Sequence, residues 1–261
     1  MPIQQAVVVP MLKPAKMEME AFLAGVAGIG YRAIELWFRD ENTERTLEIA
    51  ERLGLRVASM CGHRKGLNDP EKHPIVEAEL RESIDFAAAH GIPNLICFSG
   101  QRRPECGDEQ GAADTADGLR RVAPYAGEKG VNLNLELLNS RVDHVGYQCD
   151  RTPWGVSVCR SVDHPRVRLL YDVYHMQIME GDVIRTIRDN IQWIGHFHTA
   201  GVPGRHELDD EQELNYAGIC RAIAASGYAG YVGHEFRPNG DVFESLRQAY
   251  AVCDQLDTNR G

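Results

Sequence analysis

The sequence lacks long hydrophobic runs, clusters of basic residues and any pattern of a signal peptide. No window approaches the roughly 20 apolar residues that a helix needs to cross a bilayer. The formal net charge of −10, without runs of Lys or Arg, disfavours binding to nucleic acid or to acidic membrane surfaces. We therefore expect a cytoplasmic protein that has neither nucleic-acid nor membrane partners.

Paired cysteines and nucleotide-binding glycine motifs are also missing. The seven cysteines are scattered and include no C-x-x-C pair, which disfavours a zinc-cysteine site. We expect a reducing compartment, in which most of these thiols pack as small apolar side chains. No G-x-G-x-x-G follows the first predicted strand, and no phosphate-binding loop is present. These absences disfavour an open sheet that binds dinucleotides.

What the sequence does contain is a regular alternation of strand-like and helix-like segments over 261 residues. Such alternation implies a parallel sheet with helices outside, and eight units of this length predict one α/β domain over residues 1–261, a (β/α)8 TIM barrel. A doubly wound open sheet is the alternative. The predicted strands are 6–9, 31–38, 55–60, 93–99, 131–138, 167–172, 194–199 and 231–236. The predicted helices are 18–28, 43–54, 74–90, 112–129 with a bend or break at Pro124, 153–162, 183–190, 214–227 and 242–256.

Four of the predicted strands carry a metal-type side chain at their carboxyl end: Glu136, Asp172, His198 and Glu235. In a (β/α)8 barrel these ends converge on the face that holds the active site. Each residue alone could simply cap a strand or a helix. Together, three carboxylates would repel one another unless a cation held them, so we predict a divalent metal site. The mostly oxygen ligand set suits Mg²⁺, Mn²⁺ or Co²⁺, with Zn²⁺ as an alternative.

Two further side chains are candidates for binding a substrate. His175 follows Asp172 by one helical turn and could hydrogen-bond a substrate oxygen or, alternatively, cap a helix. Arg205, in a loop shaped by Pro203 and Gly204, could clamp a carboxylate or form a salt bridge with a nearby acid. We place His196 on the strand face opposite His198, packed behind the barrel. His63, Arg102, Arg103 and His144 lie in other loops of the active face and are left outside the predicted site.

Five motifs resemble the hydroxypyruvate isomerase family of the xylose-isomerase-like TIM barrel superfamily. They are LELLN (135–139), LLYDVYHMQIMEGD (169–182), HFHTAGVPGRHELDD (196–210), ELNY (213–216) and GHEFRP (233–238). The resemblance is dense from about residue 130 to 240. Before that it depends on the barrel pattern and on HGIPNL (90–95).

The resemblance implies a role for each candidate residue. The metal ligands of the family fall on Glu136, Asp172, His198 and Glu235, and its two proton-transferring acids fall on Glu136 and Glu235. Its substrate-binding histidine falls on His175 and its loop arginine on Arg205. The implied reaction is the isomerisation of a small oxo acid, hydroxypyruvate to tartronate semialdehyde, through an enediolate.

Alternatives stay open at this point. The sugar 3-epimerase branch carries a further glutamate where this sequence has Val142, which favours the isomerase. Some hydroxypyruvate isomerases, however, have glutamine where this sequence has His198. The epimerases have histidine at that position, as this sequence does, which leaves the substrate open. A metal-dependent sugar dehydratase, an apurinic endonuclease and a non-catalytic binding barrel are weaker alternatives. A homo-oligomer is compatible with all of them.

Overall fold

The computed structural model describes residues 3–254. The strands are β1 Gln4–Val8, β2 Ala33–Glu35, β3 Arg56–Cys61, β4 Asn94–Cys97, β5 Asn132–Glu136, β6 Val167–Asp172, β7 Ile194–Thr199 and β8 Tyr231–His234. The helices are α1 Val9–Leu12, α2 Met19–Ile29, α3 Thr43–Arg52, α4 His73–Ala89, α5 Asp108–Arg120, α6 Ala123–Lys129, α7 Thr152–Val162, α8 Val173–Met179, α9 Val183–Asn190, α10 Tyr216–Ala225 and α11 Val242–Asp254. Two short 3₁₀ turns are Pro70–Lys72 and Ile191–Trp193.

The eight strands form one closed barrel in sequence order, with helices around it. Neighbouring strands run parallel, and their register aligns the carboxyl ends. Glu136 of β5 lies opposite Leu170 of β6, and Thr199 of β7 lies opposite His234 of β8. The predicted (β/α)8 fold is therefore confirmed.

Contacts along the chain group the described residues into two compact units, so the single-domain interpretation stays a prediction. One unit comprises the described parts of Met1–Ala58, Asp182–Ile191 and Phe197–Gly261. In it, the fully buried Ala6, Ala33 and Ala58 form an apolar cluster against which Tyr231 packs. The other unit comprises Ser59–Gly181 and Gln192–His196.

The interior of the second unit also contains polar side chains. The Asn94 side-chain oxygen accepts hydrogen bonds from Asn132 and Asn134, each at 3.0 Å. Since a buried polar group is costly without a partner, these two hydrogen bonds satisfy the Asn94 oxygen across β4 and β5.

Several elements differ in extent from the prediction. The strand predicted over 31–38 is only Ala33–Glu35, so it ends at an acid. The helix predicted over 112–129 is divided into α5 and α6, and Pro124 lies in the first turn of α6, where its missing N–H costs no helical hydrogen bond. Helix α8, directly after β6, was not predicted. The last predicted helix extends to residue 256, beyond the described residues.

All seven cysteines are free thiols, and six of them are buried, as expected for small apolar side chains. Within residues 3–254, no helix is both long enough and apolar enough to cross a membrane.

Candidate functional site

Strands β5 and β6 present the first two predicted ligands at their last residues. Glu136 and Asp172 are both buried. One oxygen of Asp172, Oδ1, accepts a hydrogen bond from the Tyr174 backbone N–H at 2.8 Å and so caps α8. The other, Oδ2, lies 3.5 Å from His175 Nε2. Asp172 therefore fixes the direction in which α8 leaves the barrel while presenting its second oxygen to the site.

His175 is fully buried and is oriented by Asn139, a residue that sequence reasoning did not single out. The Asn139 Oδ1 atom accepts from the backbone N–H groups of Val142 and Asp143, each at 2.9 Å, which identifies Nδ2 as the donor. Nδ2 lies 2.7 Å from His175 Nδ1. In a neutral imidazole the proton then sits on Nε2, the nitrogen that faces Asp172. His175 can thus donate a hydrogen bond on the ligand side.

His198 of β7 lies between two acids. Its Nε2 is 3.0 Å from Glu35 Oε2, and its Nδ1 is 3.3 Å from Glu235 Oε2. A carboxylate can only accept a hydrogen bond, so the Glu35 contact assigns the proton to Nε2 and leaves the Nδ1 lone pair for a cation. Glu35 is buried at the end of β2.

Gly233 of β8 has no side chain, and the Glu35 carboxylate occupies the space beside it. A Cβ atom at this position would lie only 2.0 Å from Glu35 Oε1 and 3.0 Å from the His198 ring. The close approach of the carboxylate to the strand therefore requires glycine here.

Glu235 lies directly after β8 and is held by two donors. Arg205 Nη2 donates to its Oε2 at 2.5 Å, and Trp37 Nε1 donates to its Oε1 at 3.3 Å. Burial alone would raise the pKa of Glu235, but the charge of the Arg205 guanidinium outweighs burial and holds this pKa well below its usual range. Glu235 is consequently a carboxylate at neutral pH.

The loop after β7 brings Arg205 to Glu235 through an unusual backbone conformation. Arg205 has φ +61°, in the left-handed region, directly after Gly204 at φ +92°. Its N–H donates to Gly201 O at 3.0 Å, and its carbonyl accepts from the Arg237 N–H at 2.7 Å. The structure thus pairs Arg205 with Glu235. Its predicted contact with a substrate stays a prediction.

The four predicted metal ligands come together. One ligand atom from each of Glu136, Asp172, His198 and Glu235 lies within 4.8 Å of the others, and all four residues are buried. Three carboxylates at such distances, away from water, strongly favour a bound cation because they otherwise repel one another. The oxygen-rich set with one imidazole fits a divalent metal ion.

The prediction for His196 was wrong. A ligand atom of His196 lies within 4.8 Å of ligand atoms of Glu35 and His198, so His196 and His198 share one face of β7. Side chains alternate along a strand with a period of two, so residues two apart point to the same side. His196 is fully buried on that shared face, not behind the barrel.

Comparison with known proteins agrees with the barrel fold. A model of the xylose isomerase-like TIM barrel family matches residues 23–253. The 2-oxo-tetronate isomerase of Cupriavidus necator is 30% identical over 85% of this chain and 88% of its own length. The hydroxypyruvate isomerase of Escherichia coli K12 is 30% identical over 66% of this chain and 67% of its own length.

Solved structures show the same fold at lower identity. A structure described as AP endonuclease, family 2, from Brucella melitensis has a TM-score of 0.84 at 24% identity and covers 94% of this chain and 97% of its own. D-Psicose 3-epimerase from Clostridium cellulolyticum H10 has a TM-score of 0.77 at 19% identity and covers 97% and 98%. With the closed eight-stranded barrel and the family match over residues 23–253, the chain belongs to the xylose isomerase-like TIM barrel family.

Proposed function

We propose that this protein is a metal-dependent isomerase of a short oxo acid, of the type that converts hydroxypyruvate to tartronate semialdehyde. The observation that carries the proposal is the presence of two glutamates, Glu136 and Glu235, in one buried group with Asp172 and His198. The curated relatives support the isomerase class, and the two named above act, by their names, on oxo acids.

The four-residue group would hold the metal. A bound divalent ion would polarise the substrate carbonyl and stabilise the negative charge that develops when a neighbouring C–H proton leaves.

The two glutamates would move the proton. One carboxylate removes the proton from the hydroxyl-bearing carbon beside the carbonyl, which leaves an enediolate. The hydroxyl proton passes to the former carbonyl oxygen, and the other acid delivers a proton to the former carbonyl carbon. No electrons enter or leave, since the carbonyl and hydroxyl groups only exchange places. Arg205 and Trp37 fix both oxygens of Glu235, which limits the directions from which it can reach a substrate carbon.

His175 would bind a substrate oxygen. Its Nδ1 is engaged by Asn139, so its Nε2–H is the group available to donate. A donor aimed at an oxygen that gains negative charge in the transition state speeds the reaction, because the hydrogen bond strengthens as the charge grows.

The test is the Glu235→Gln variant, which keeps the shape of the side chain but cannot accept a proton. We expect the metal-loaded variant to remain folded and to lose roughly 10²- to 10⁴-fold in turnover of hydroxypyruvate. Turnover and exchange of the C3 proton with deuterium from solvent would be followed by NMR. Glu244→Gln, an exposed change on α11, is the matched control and should match the unmodified protein.

Near-normal turnover by Glu235→Gln on every substrate tried would contradict the two-acid scheme. The substrate panel also separates the alternative reaction. Products from D-psicose or D-tagatose, with none from hydroxypyruvate, would identify a 3-epimerase in place of an oxo-acid isomerase.

A further inference from the structure

A cavity of about 530 Å³ lies among the loops that follow β3, β4 and β5. Small-molecule sites typically measure roughly 300 to 1,000 Å³, so this volume is that of a binding site. Its lining comes from residues 64–72, 98–104 and 138–147. A three-carbon acid would fill only a small part of it.

Cationic side chains outnumber carboxylates in the lining of the cavity, although Lys72 pairs with Asp69 at 2.6 Å. Five cationic side chains line it, and Asp69 is the one carboxylate in the lining; the cations are Arg64, Lys65, Lys72, Arg102 and Arg103. The chain as a whole has a formal net charge of −10, so this local excess runs against its composition. A cleft lined with charges of one sign attracts and concentrates ligands of the opposite sign.

Two of these cations are fixed in place by acids that do not line the cavity. Arg102 makes a bidentate contact with Asp150, with both N···O distances at 3.1 Å, and also donates to Tyr147 O at 2.6 Å. Arg103 pairs with Asp114. Both guanidinium groups are about one-third exposed, so they are oriented and yet accessible to a ligand.

The backbone around the cavity is closely packed. Gly66 and Gly100 both line it, and a Cβ on Gly66 would lie 2.6 Å from Gly100 Cα. His63 joins the same two loops, since its Nε2 accepts from the Phe98 N–H at 3.0 Å and its Nδ1 donates to Lys65 O at 2.6 Å. The cation-bearing loops are therefore held together before any ligand arrives.

The cavity adjoins the side of the site that contains His175. His144 lines the cavity, and its ring centroid is 5.2 Å from that of His175. Leu138, which also lines it, is two residues beyond Glu136. A substrate whose reacting carbons lie beside His175 could thus extend into the cavity.

We propose that this cavity binds an anionic group at the end of the substrate remote from the reacting carbons. This inference depends on the proposed isomerase function and narrows its substrate class. The substrate is then an α-hydroxycarbonyl compound of at least four carbons whose far end carries a phosphate or a carboxylate. Hydroxypyruvate, whose only carboxylate adjoins the reacting carbons, would leave the cations unused.

Lys65 is the best position for a test. It is exposed, and within residues 3–254 it takes part in no ion pair, so its replacement should not disturb the fold. The variants are Lys65→Glu, which reverses the charge, and Lys65→Arg, which keeps it. Lys16→Glu, at an exposed position outside the cavity lining, alters the net charge equally and serves as the control.

The first measurement is binding, by calorimetry, of inorganic phosphate and of succinate to the metal-free protein. We expect the Lys65→Glu variant to weaken binding of the preferred anion at least tenfold, and Lys65→Arg and Lys16→Glu to change it less than twofold. Tighter binding of phosphate would indicate that the natural substrate carries a phosphate ester at its far end. Tighter binding of succinate would indicate a carboxylate there. Equal binding by all variants, or no binding, would overturn the inference.

The second measurement is kinetic and uses substrates matched in carbon number, 2-oxo-tetronate against its 4-phosphate and D-ribulose against its 5-phosphate. We expect a lower KM for each ester, and an increase in that KM, with little change in kcat, in Lys65→Glu. If instead the variant only abolishes tight binding of abasic DNA at low salt, the cavity serves a nucleic acid and the inference is wrong.

The two measurements separate this inference from the proposed function. Loss of anion binding in Lys65→Glu, together with no isomerisation of any substrate, would support the cavity and refute the isomerase. Isomerisation of hydroxypyruvate by a protein that binds neither anion would support the isomerase and refute the anion-binding cavity.

Discussion

Among single residues, Glu35 shows how a side chain outside the predicted ligand set can control it. Its carboxylate faces His198 Nε2 at 3.0 Å, which leaves the Nδ1 lone pair available to a cation in the proposed metal site. Partners of this kind fix the ring and raise its basicity, so their loss typically weakens metal binding about 10- to 100-fold.

We therefore expect Glu35→Gln to lower the affinity for Mn²⁺ about tenfold, because an amide oxygen still accepts from Nε2 but carries no charge. Glu35→Leu should lower it further. Isothermal titration calorimetry of the metal checks this, with the exposed Glu51→Gln as control. Unchanged affinity in both Glu35 variants would show that His198 is oriented by other groups.

Sequence reasoning missed Glu35 although its signal was present. An acid at the carboxyl end of a strand was the criterion that found Glu136, Asp172 and Glu235. The predicted second strand extended over 31–38, which placed Glu35 in its interior, whereas β2 ends at Glu35. Asn139 gave no such signal, because its contact with His175 joins two different loops and no local pattern encodes it.

At the scale of elements, the loops after β3 and β4 depend on a neutral histidine. Burial lowers the pKa of His63 to about 4, although its hydrogen bond to Lys65 O acts in the opposite direction. Protonation of Nε2 would remove the acceptor of the Phe98 N–H. Unfolded, the histidine titrates near its ordinary value of about 6.5.

The folded pKa is thus below the unfolded one, so the stabilisation is complete above about pH 6.5 and declines as the pH falls toward 4. For the metal-free protein we expect His63 to account for roughly 2 to 3 kcal/mol of the free energy of unfolding lost between pH 7.5 and 4.5. Urea unfolding of the unmodified protein and of His63→Gln measures it. On acidification the free energy of unfolding should fall less in His63→Gln than in the unmodified protein. In the exposed His90→Gln it should fall as much as in the unmodified protein.

The element boundaries indicate which signals were reliable. Strands β6 and β7 agree with the prediction residue for residue. Helix α8 was missed because its seven residues complete only two turns and show no repeated pattern, although capping was the alternative considered for Asp172, its N-cap. His196 was misplaced because residues two apart on a strand were assigned to opposite faces, and not because a signal was missing from the sequence.

At the scale of the whole molecule, the acids gathered by the barrel should make stability depend on metal. A ligand that binds only the folded state, at 100 times its dissociation constant, stabilises by about 2.7 kcal/mol. For a chain of this size we expect chelation of the metal to lower Tm by roughly 5 to 10 °C. Scanning calorimetry with Mn²⁺ and with EDTA measures the difference.

In Glu136→Gln the same chelation should shift Tm much less, because one ligand charge is gone. Glu244→Gln should behave like the unmodified protein. A Tm that is independent of metal in the unmodified protein would count against the metal site as a whole.

The fold as a whole could be predicted because alternation of eight strand-like and helix-like segments has few solutions in about 260 residues. The same topology explains why the four predicted ligands could be identified from widely separated positions. The basic cavity could not, since Lys65, Arg102 and Arg103 lie in irregular loops whose approach to one another is set by contacts such as that between Gly66 and Gly100.

The absence of a side chain at Gly233 has a consequence for the divergence of the family. A Cβ there would lie only 2.0 Å from Glu35 Oε1, so position 233 cannot gain a side chain while the Glu35 carboxylate keeps its place. A descendant that acquires alanine at 233 must move, shorten or remove the acid at 35, which is the group that orients His198. A glutamate at 35 in the present position should accordingly be accompanied by glycine at 233, and a lineage that has lost both has also lost the group that orients His198 in the proposed metal site.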